Sequence, residues 1–351
     1  MSDKKPSEPS PEESKKLYEV AGRVKELAPW QWMEESQIFG VKNPETGEIG
    51  FVSIMGMGGE HFAISVYRGS EGLYGFWDLA EAGPDVDPHM LLEIPQLQAS
   101  FEDRAETSKR DRDLMKQLGL KFRGAKAWPL FRSYTSGYMP WYLTAEETRF
   151  LTYALEQTLE VAPRVKSDPD LLWGEDDAED GDYLVRVAQE ETGASVWADQ
   201  MMPASEPEPP QVQILMDMGT LTTLRNLPPS TLELEVDFFN MPTPVQEKGG
   251  RPYFPAMLLM VDGTMGVILG FAMMPPAETR ELLWGQVPME IVRKLADLSA
   301  RPKEIRVASP VLANLLVPVG RELNCPIHLV DQLFRLEQAR SEIFQISGGL
   351  W

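Results

Sequence analysis

Residues 256–273 read AMLLMVDGTMGVILGFAM and lie in the most apolar stretch of the 351-residue chain. Two apolar runs flank a short turn that contains Asp262, and glycines stand at positions 263, 266 and 270. A transmembrane helix needs about 20 predominantly apolar residues, and the aspartate and the glycines interrupt such a run. The stretch therefore predicts two buried β-strands joined by a tight turn.

The residues on either side of this hairpin extend the pattern to a whole domain. A strand is predicted before the hairpin at 232–239, where the sequence reads LELEVDFF. After the hairpin, the apolar spacing predicts a helix over 278–300, a strand over 304–309, a helix over 311–323, a strand over 326–330 and a final helix over 331–344. The resulting order, β-β-β-α-β-α-β-α, predicts an α+β domain over 211–351.

This order resembles the ribonuclease-H-like core of retroviral-type integrases and transposases. Asp237 lies in the first strand, the hairpin places an aspartate before its turn, and residues 301–305 (RPKEI) are similar to the segment that leads into the fourth strand. The resemblance covers about residues 230–330. It implies that Asp237 is the first catalytic aspartate and a metal ligand, with Mg²⁺ or Mn²⁺ as the cofactor.

The sequence departs from this family where a second catalytic aspartate is expected, because Ala308, Ser309 and Pro310 occupy that place. A two-metal site needs several oxygen ligands that hold the cations about 3.5 to 4 Å apart. Asp237 alone does not supply them, and Glu235 and Glu337 are the remaining carboxylate candidates. We therefore expect a degenerate, catalytically silent copy of the fold.

The N-terminal half predicts a separate α+β domain over 10–205, with helices and a mixed or antiparallel sheet. Its first helix begins at Ser10-Pro11-Glu12-Glu13, which has the pattern of a capping box. Residues 37–67 (QIFGVKNPETGEIGFVSIMGMGGEHFAISVY) contain a predicted β-hairpin and resemble a stretch of uncharacterised bacterial proteins. This resemblance implies a bacterial origin and no particular chemistry.

Three segments read as irregular. Residues 1–9 form a polar tail that we expect to be disordered, and 206–210 form a proline-rich linker between the two domains. Residues 167–182 contain eight acidic side chains and no basic one, which predicts a solvated loop.

An aromatic-rich segment, 127–142, is the candidate binding surface of the N-terminal domain. Its candidate ligand-binding or protein-binding residues are Trp128, Phe131, Tyr134, Tyr138 and Trp141. The alternative is that these rings close a hydrophobic core, and aromatic clusters favour this interpretation.

Composition limits the partners of the protein. The chain has 54 acidic and 33 basic residues, which gives a formal net charge of −21. Such a charge repels phosphate backbones and anionic lipid headgroups, so nucleic acid and membrane partners are not expected. Cys325 is the only cysteine, which fits a reducing cytoplasm and predicts a buried structural thiol, and His328 is predicted to be a core residue of an interior strand.

The sequence leaves three functional hypotheses open. The first is a non-enzymatic bacterial cytoplasmic protein without a cofactor, acting through contacts with a protein partner that the sequence does not identify. The alternative is a metal-dependent nuclease or other nucleic-acid-processing enzyme that uses Asp237 with Glu235 or Glu337. The third is a small-ligand sensor built on the N-terminal domain.

Overall fold

The computed structural model describes residues 7–83, 88–172, 181–191, 194–207 and 211–348. The chain divides into two compact units, each with its own β-sheet. The N-terminal unit comprises Met1–Ser136 and Pro140–Glu208, and the C-terminal unit comprises Gly137–Met139 and Pro209–Trp351. Much of the predicted tail (1–6), half of the acidic loop (173–180) and much of the linker (208–210) lie outside the described residues. Among the helices of the described ranges, none has the length and apolar character needed to cross a membrane.

The N-terminal unit is built on a seven-stranded mixed sheet. Its helices are α1 (Pro11–Leu27), α2 (Gly69–Ala82), α3 (Pro88–Glu93), α4 (Lys109–Gln117) and α5 (Ala145–Ser167). Its strands are β1 (Phe39–Lys42), β2 (Ile49–Met55), β3 (Phe62–Arg68), β4 (Gln96–Glu102), β5 (Trp128–Tyr134), β6 (Asp182–Glu191) and β7 (Ala194–Pro203). The strand order is β5-β4-β3-β2-β1-β6-β7, and all neighbours are antiparallel except β1 and β6. The prediction of a mixed sheet with helices is therefore confirmed.

Capping boxes start the two long helices that cover this sheet. The Ser10 hydroxyl accepts from the Glu13 amide and the Thr144 hydroxyl from the Glu147 amide, and each glutamate accepts from the cap residue's own amide. Helices α1 and α5 pack together over one face of the sheet, and their apolar stripes bury that face in a common core. A smaller core under α2 covers part of the other face.

The C-terminal unit carries a five-stranded mixed sheet. Its helices are α6 (Met218–Arg225), α7 (Arg280–Asp297), α8 (Pro310–Leu323) and α9 (Phe334–Gly348). Its strands are β8 (Glu233–Asn240), β9 (Ala256–Asp262), β10 (Ile268–Met274), β11 (Glu304–Val307) and β12 (Ile327–Leu329). The strand order is β10-β9-β8-β11-β12. Strand β9 is antiparallel to both β10 and β8, whereas β8, β11 and β12 run parallel to one another.

Both faces of the C-terminal sheet are packed against helices. Leu258 and Met260 of β9 lie in a core with α6, α7 and α8, whereas Leu259 and Val261 on the opposite face pack against α9. The predicted strand and helix order is found from β8 to α9, and α6, which the sequence did not predict, precedes it.

Position in the sheet overturns two burial predictions. Strand β9 is buried throughout as predicted, but β10 is largely exposed because it lies at the edge of the sheet. His328 is not a core residue, since β12 forms the opposite edge and the His328 side chain is 51% exposed. The thiol of Cys325 is buried as predicted, and this burial raises its pKa to about 11.

Several boundaries also differ from the prediction. From the sequence alone, residues 91–101 read as strand and the charged run 102–118 reads as one helix. In the structure residues 91–93 belong to α3, and the helix shortens to α4 because Ser108 supplies an N-cap within the charged run. The final helix begins at Phe334 instead of residue 331, and strands β5 and β7 were not predicted.

Candidate functional site

Asp237 lies in β8, on the sheet face that packs against α9. Its Oδ2 atom is 3.1 Å from Nη1 of Arg340, and its Oδ1 accepts a hydrogen bond of 2.9 Å from the Phe238 amide. Burial raises the pKa of Asp237 above its usual value, and the nearby Glu337 adds to this effect. The Phe238 amide and the Arg340 guanidinium oppose the rise without cancelling it. A fixed cation of the protein thus occupies one side of the carboxylate.

Glu235, two residues before Asp237 on the same face of β8, also contacts α9. Its Oε2 atom accepts a 2.7 Å hydrogen bond from the Leu336 amide, which lies in the first turn of the helix. The residue is only 5% exposed. Helix N-terminal amides lack partners inside the helix, so this carboxylate satisfies one of them and fixes α9 on the sheet.

Glu337 completes the predicted carboxylate set, but it does not form a metal centre with the other two. Its Oε2 atom accepts a 2.8 Å hydrogen bond from Nε2 of Gln332. Over the ranges that the structure describes, no three His, Cys, Asp or Glu side chains converge as ligands for a metal ion. The residues at Asp237 therefore do not fit the Mg²⁺ or Mn²⁺ site that the resemblance implies, because a guanidinium and a helix amide occupy their oxygens.

The five aromatic candidates do not form one surface within the N-terminal unit. Phe131 is 9% exposed and packs edge-to-face on Tyr18 in the main core, and Trp128 packs against the same core. The hydroxyl of Tyr134 donates to Oε1 of Gln98 over 3.3 Å, and burial raises its pKa. Trp141 contacts Tyr142 with ring centroids 5.1 Å apart, whereas Tyr138 belongs to the C-terminal unit.

A cavity of about 560 Å³, which the sequence did not predict, lies in the N-terminal unit. Helices α1 and α4 form its walls, Phe131 of β5 contributes its apolar floor, and residues 8 and 9 lie at one end. The segment that holds them has defined neighbours, because the Ala145 amide donates to the Ser7 carbonyl over 2.8 Å and Glu8 pairs with Arg110 over 3.0 Å. Phe131 is the one aromatic candidate that lines the cavity.

A buried ion pair supports the cavity wall. Arg132 donates to both carboxylate oxygens of Asp111, over 3.0 Å and 2.7 Å, and the Ser108 amide donates to the same carboxylate. Burial alone acts to raise the pKa of Asp111, but Arg132 and Ser108 hold it below its usual value. Two guanidinium groups contact the ring of Tyr142, with Arg110 at 4.1 Å and Arg132 at 4.8 Å from the ring centroid.

The edge of the C-terminal sheet at β10 exposes apolar side chains. The exposed fractions are 43% for Ile268, 57% for Phe271 and 50% for Met273. In the preceding turn, Met265 is 69% exposed and Val267 is 50% exposed. We refer to these five residues as the β10 edge. Isolated exposed apolar residues are common, but a contiguous group of this kind marks interaction surfaces.

The sequence contains only part of the signals for these sites. The sequence shows that residues 263–277, after Asp262, carry no charge. The strand order, which the sequence does not show, determines that this segment lies at a sheet edge. The cavity brings together residues from the N-terminal tail, α1, α4, β5 and the start of α5, and no local spacing relates these segments. Asp111 and Arg132 are a pair only because α4 lies against β5.

Comparison with known families assigns a domain to each unit. Residues 15–186, nearly all of which lie in the N-terminal unit, match "Domain of unknown function (DUF7309)", which agrees with the predicted resemblance to uncharacterised proteins. A search of the curated proteins found no match. Residues 220–344, within the C-terminal unit, match "Domain of unknown function (DUF6930)".

Proposed function

We propose that this chain is a non-enzymatic protein of the bacterial cytoplasm that acts through protein contacts, and that the β10 edge is its contact surface. The observation that carries the proposal is an outer strand with exposed Ile268, Phe271 and Met273. Of the described strands, only β9 pairs with β10. Its outer backbone groups are therefore available to pair with a strand from another polypeptide.

Charge indicates that the first partner of this surface is a second copy of the chain. Residues 263–277 contain no charged side chain, although charged residues make up 25% of the sequence and the net charge is −21. Two copies that meet through this segment bury no like charges against each other. An isologous contact also needs a self-complementary surface, and an uncharged apolar strand provides one.

The strand suits antiparallel pairing about a two-fold axis. Phe271 is the middle residue of β10, so an axis at this residue places Phe271 opposite Phe271 of the other copy. Aromatic and aliphatic cross-strand pairs of this kind stabilise a sheet by roughly 0.2 to 1 kcal/mol each. The irregularity between Ile268 and Gly270 limits regular pairing about this axis to residues 270–272 of each copy.

Sedimentation velocity of the full chain tests this proposal. We expect a monomer–dimer equilibrium that strengthens with added salt, because salt screens the repulsion between two acidic copies. Phe271→Lys should weaken the dimer by at least roughly tenfold. Phe334→Lys is the matched control, since Phe334 is 70% exposed on α9 and lies outside the β10 edge.

Two outcomes would overturn the second copy as the partner. One is a monomer at every concentration and salt level. The other is an equal loss of association in Phe271→Lys and Phe334→Lys, because this would place the contact away from β10.

We further propose that the C-terminal unit is a ribonuclease-H-like fold whose site is silent. The support is a sheet in which β9 and β10 extend antiparallel from β8 on one side, and β11 and β12 lie parallel to β8 on the other. Helices α7 and α8 supply the crossover connections that parallel strands need. The engagement of Asp237 and Glu235 with α9 supports the silent site.

The metal-dependent nuclease is the second candidate, and the proximity of Glu337 to Asp237 favours it. Removal of the competing cation in Arg340→Ala tests it most directly. A nuclease requires that Mn²⁺ raise the melting temperature of this variant and that DNA cleavage appear or increase. No metal-dependent shift, together with no cleavage in wild type or variant, would reject the candidate.

A further inference from the structure

We infer that the cavity between α1 and α4 binds a small uncharged molecule with an apolar or aromatic body and at least one hydrogen-bonding group. The cavity of about 560 Å³ falls within the range of small-molecule sites. This binding is independent of the protein contacts proposed for β10, because every described residue that lines the cavity belongs to the N-terminal unit.

The apolar character of the ligand follows from the interior lining. Leu17, Tyr18, Phe131 and Leu143 line the cavity and are each at most 9% exposed. Aromatic and aliphatic side chains of this kind provide most of the contact area in ligand pockets, so an apolar body is favoured there.

The absence of net charge on the ligand follows from the balance of charges at the wall. Of the described lining residues, Asp111 is the only charged one that is fully buried, and Arg132 neutralises it through two hydrogen bonds. The other charged lining residues are exposed, and Glu8 and Arg110 pair with each other. A charged ligand would lose its hydration without gaining an unpaired counter-ion in the interior.

The hydrogen-bonding group of the ligand follows from three buried hydroxyl-bearing residues in the lining, Ser14, Tyr18 and Thr148. Each hydroxyl acts as both donor and acceptor. The phenol of Tyr18 is a donor at neutral pH, because the ordinary pKa of tyrosine is about 10 and burial and the nearby Asp111 raise the pKa of Tyr18 further. A ligand with a hydroxyl, an aromatic amine or an amide group meets these requirements.

A pair of fluorescent probes tests both features of the ligand. N-phenyl-1-naphthylamine is uncharged and carries one N–H group, and 8-anilino-1-naphthalenesulfonate has the same ring system with an added sulfonate. We expect the full chain to bind the uncharged probe at least roughly tenfold more tightly than the sulfonate. Equal affinity for the two probes, or tighter binding of the sulfonate, would overturn the assignment of an uncharged ligand.

Substitutions on α4 locate the bound probe. Gln117→Trp places a large ring at the exposed rim of the cavity, and Leu114→Trp fills the interior. Both should weaken binding of the uncharged probe by roughly tenfold or more. Lys116→Trp is the matched control, because Lys116 is exposed on the same helix and does not line the cavity.

The rim variant keeps the test decisive if the interior variant fails to fold. Binding that is unchanged in a folded Gln117→Trp and in a folded Leu114→Trp would overturn the inference. Loss of binding in Phe271→Lys would place the probe at the β10 edge and would overturn it as well, whereas a dimer that fails to form leaves the cavity site intact.

Discussion

At the scale of single residues, the guanidinium of Arg340 partly compensates the buried charge of Asp237. The two side chains are 3.1 Å apart, and Arg340 also lies over the ring of Phe239 at 5.3 Å. Arg340 therefore attaches α9 to the sheet both by charge and by contact with an aromatic face. Without it, Asp237 would keep Glu337 as a nearby like charge and would lose its compensating cation.

This arrangement predicts that a second substitution rescues Arg340→Ala. The single change should lower the free energy of unfolding by about 2 kcal/mol at neutral pH, since it leaves a largely buried carboxylate without its cation. Adding Asp237→Asn removes the charge and should recover about half of the loss. The loss in free energy of unfolding caused by Arg340→Ala should also be smaller at acid pH, because a protonated Asp237 needs no cation. The raised pKa of Asp237 means that its protonated form favours folding and that this contribution is lost as pH rises. Urea unfolding of wild type, Arg340→Ala and the double mutant measures these differences. A double mutant that is less stable than Arg340→Ala would contradict the prediction.

The pair formed by Asp111 and Arg132 predicts the opposite pH dependence. Because the pKa of Asp111 is held below its usual value, the folded state binds fewer protons than the unfolded chain. The stabilisation is present above about pH 4, where Asp in an unfolded chain is ionised, and is lost as pH falls through the lower pKa of the folded state.

Asp111→Asn tests this contribution. It should cost about 2 to 3 kcal/mol at pH 7, because it breaks a buried pair that also caps α4, and the cost should disappear at strongly acid pH. Asp113→Asn serves as the control, since Asp113 is exposed on the same helix. Chemical denaturation at a series of pH values measures both variants. A cost that does not change with pH would show that the charge of Asp111 contributes nothing.

At the scale of elements, α9 depends on an acceptor that lies in another element. The carboxylate of Glu235 accepts from the Leu336 amide, and both residues are buried. Glu235→Ala should therefore destabilise the C-terminal unit by about 2 kcal/mol, because it leaves an N-terminal amide of α9 buried and unpaired. Glu235→Gln retains an oxygen acceptor and should cost less than half as much.

Hydrogen exchange distinguishes this role from a general loss of packing. In Glu235→Ala, the exchange rate of the Leu336 amide should increase relative to wild type. This increase should be larger than the increase in the exchange rates of the β9 amides. A uniform change across β9 and α9 would indicate that Glu235 acts through packing alone.

The elements that the sequence predicted correctly are those with strong local signals. The capping box at Ser10 marked the start of α1, because the cap residue and Glu13 lie within one segment of the sequence. Strand β5 was not predicted because it contains Pro129. Proline is tolerated there because β5 is an edge strand of the sheet. Strand β7 lies at the other edge and is largely exposed, so it has no regular apolar alternation.

Strands β9 and β10 show why the candidate sites could not be predicted in full. Both are almost entirely apolar in sequence, yet β9 is buried and β10 is exposed, since only their places in the sheet differ. Likewise, Asp237 was found from its place in the strand pattern, but its partner Arg340 lies 103 residues later in α9. Long-range pairing of this kind leaves no trace in local spacing.

At the scale of the whole molecule, the net charge of −21 predicts opposite effects of salt on two kinds of association. Association of two acidic copies is opposed by repulsion over a Debye length of about 10 Å at 0.1 M salt, so added salt should strengthen it. Binding to nucleic acid by basic side chains releases condensed counter-ions and therefore weakens as salt rises. The direction of the salt effect thus distinguishes a protein contact from a nucleic acid contact.

Fluorescence anisotropy with a labelled DNA duplex tests this charge argument. We expect no saturable binding at low salt in the presence of Mg²⁺, even near 10⁻⁴ M protein, which is the weak end of ordinary non-specific affinity. A basic DNA-binding protein measured under the same conditions provides the positive control. Binding that appears and strengthens as salt is lowered would reveal a basic surface strong enough to overcome the acidic field. That result would favour the nuclease candidate over the protein-contact proposal. A nuclease must first bind its nucleic acid substrate, and the acidic net charge opposes this binding.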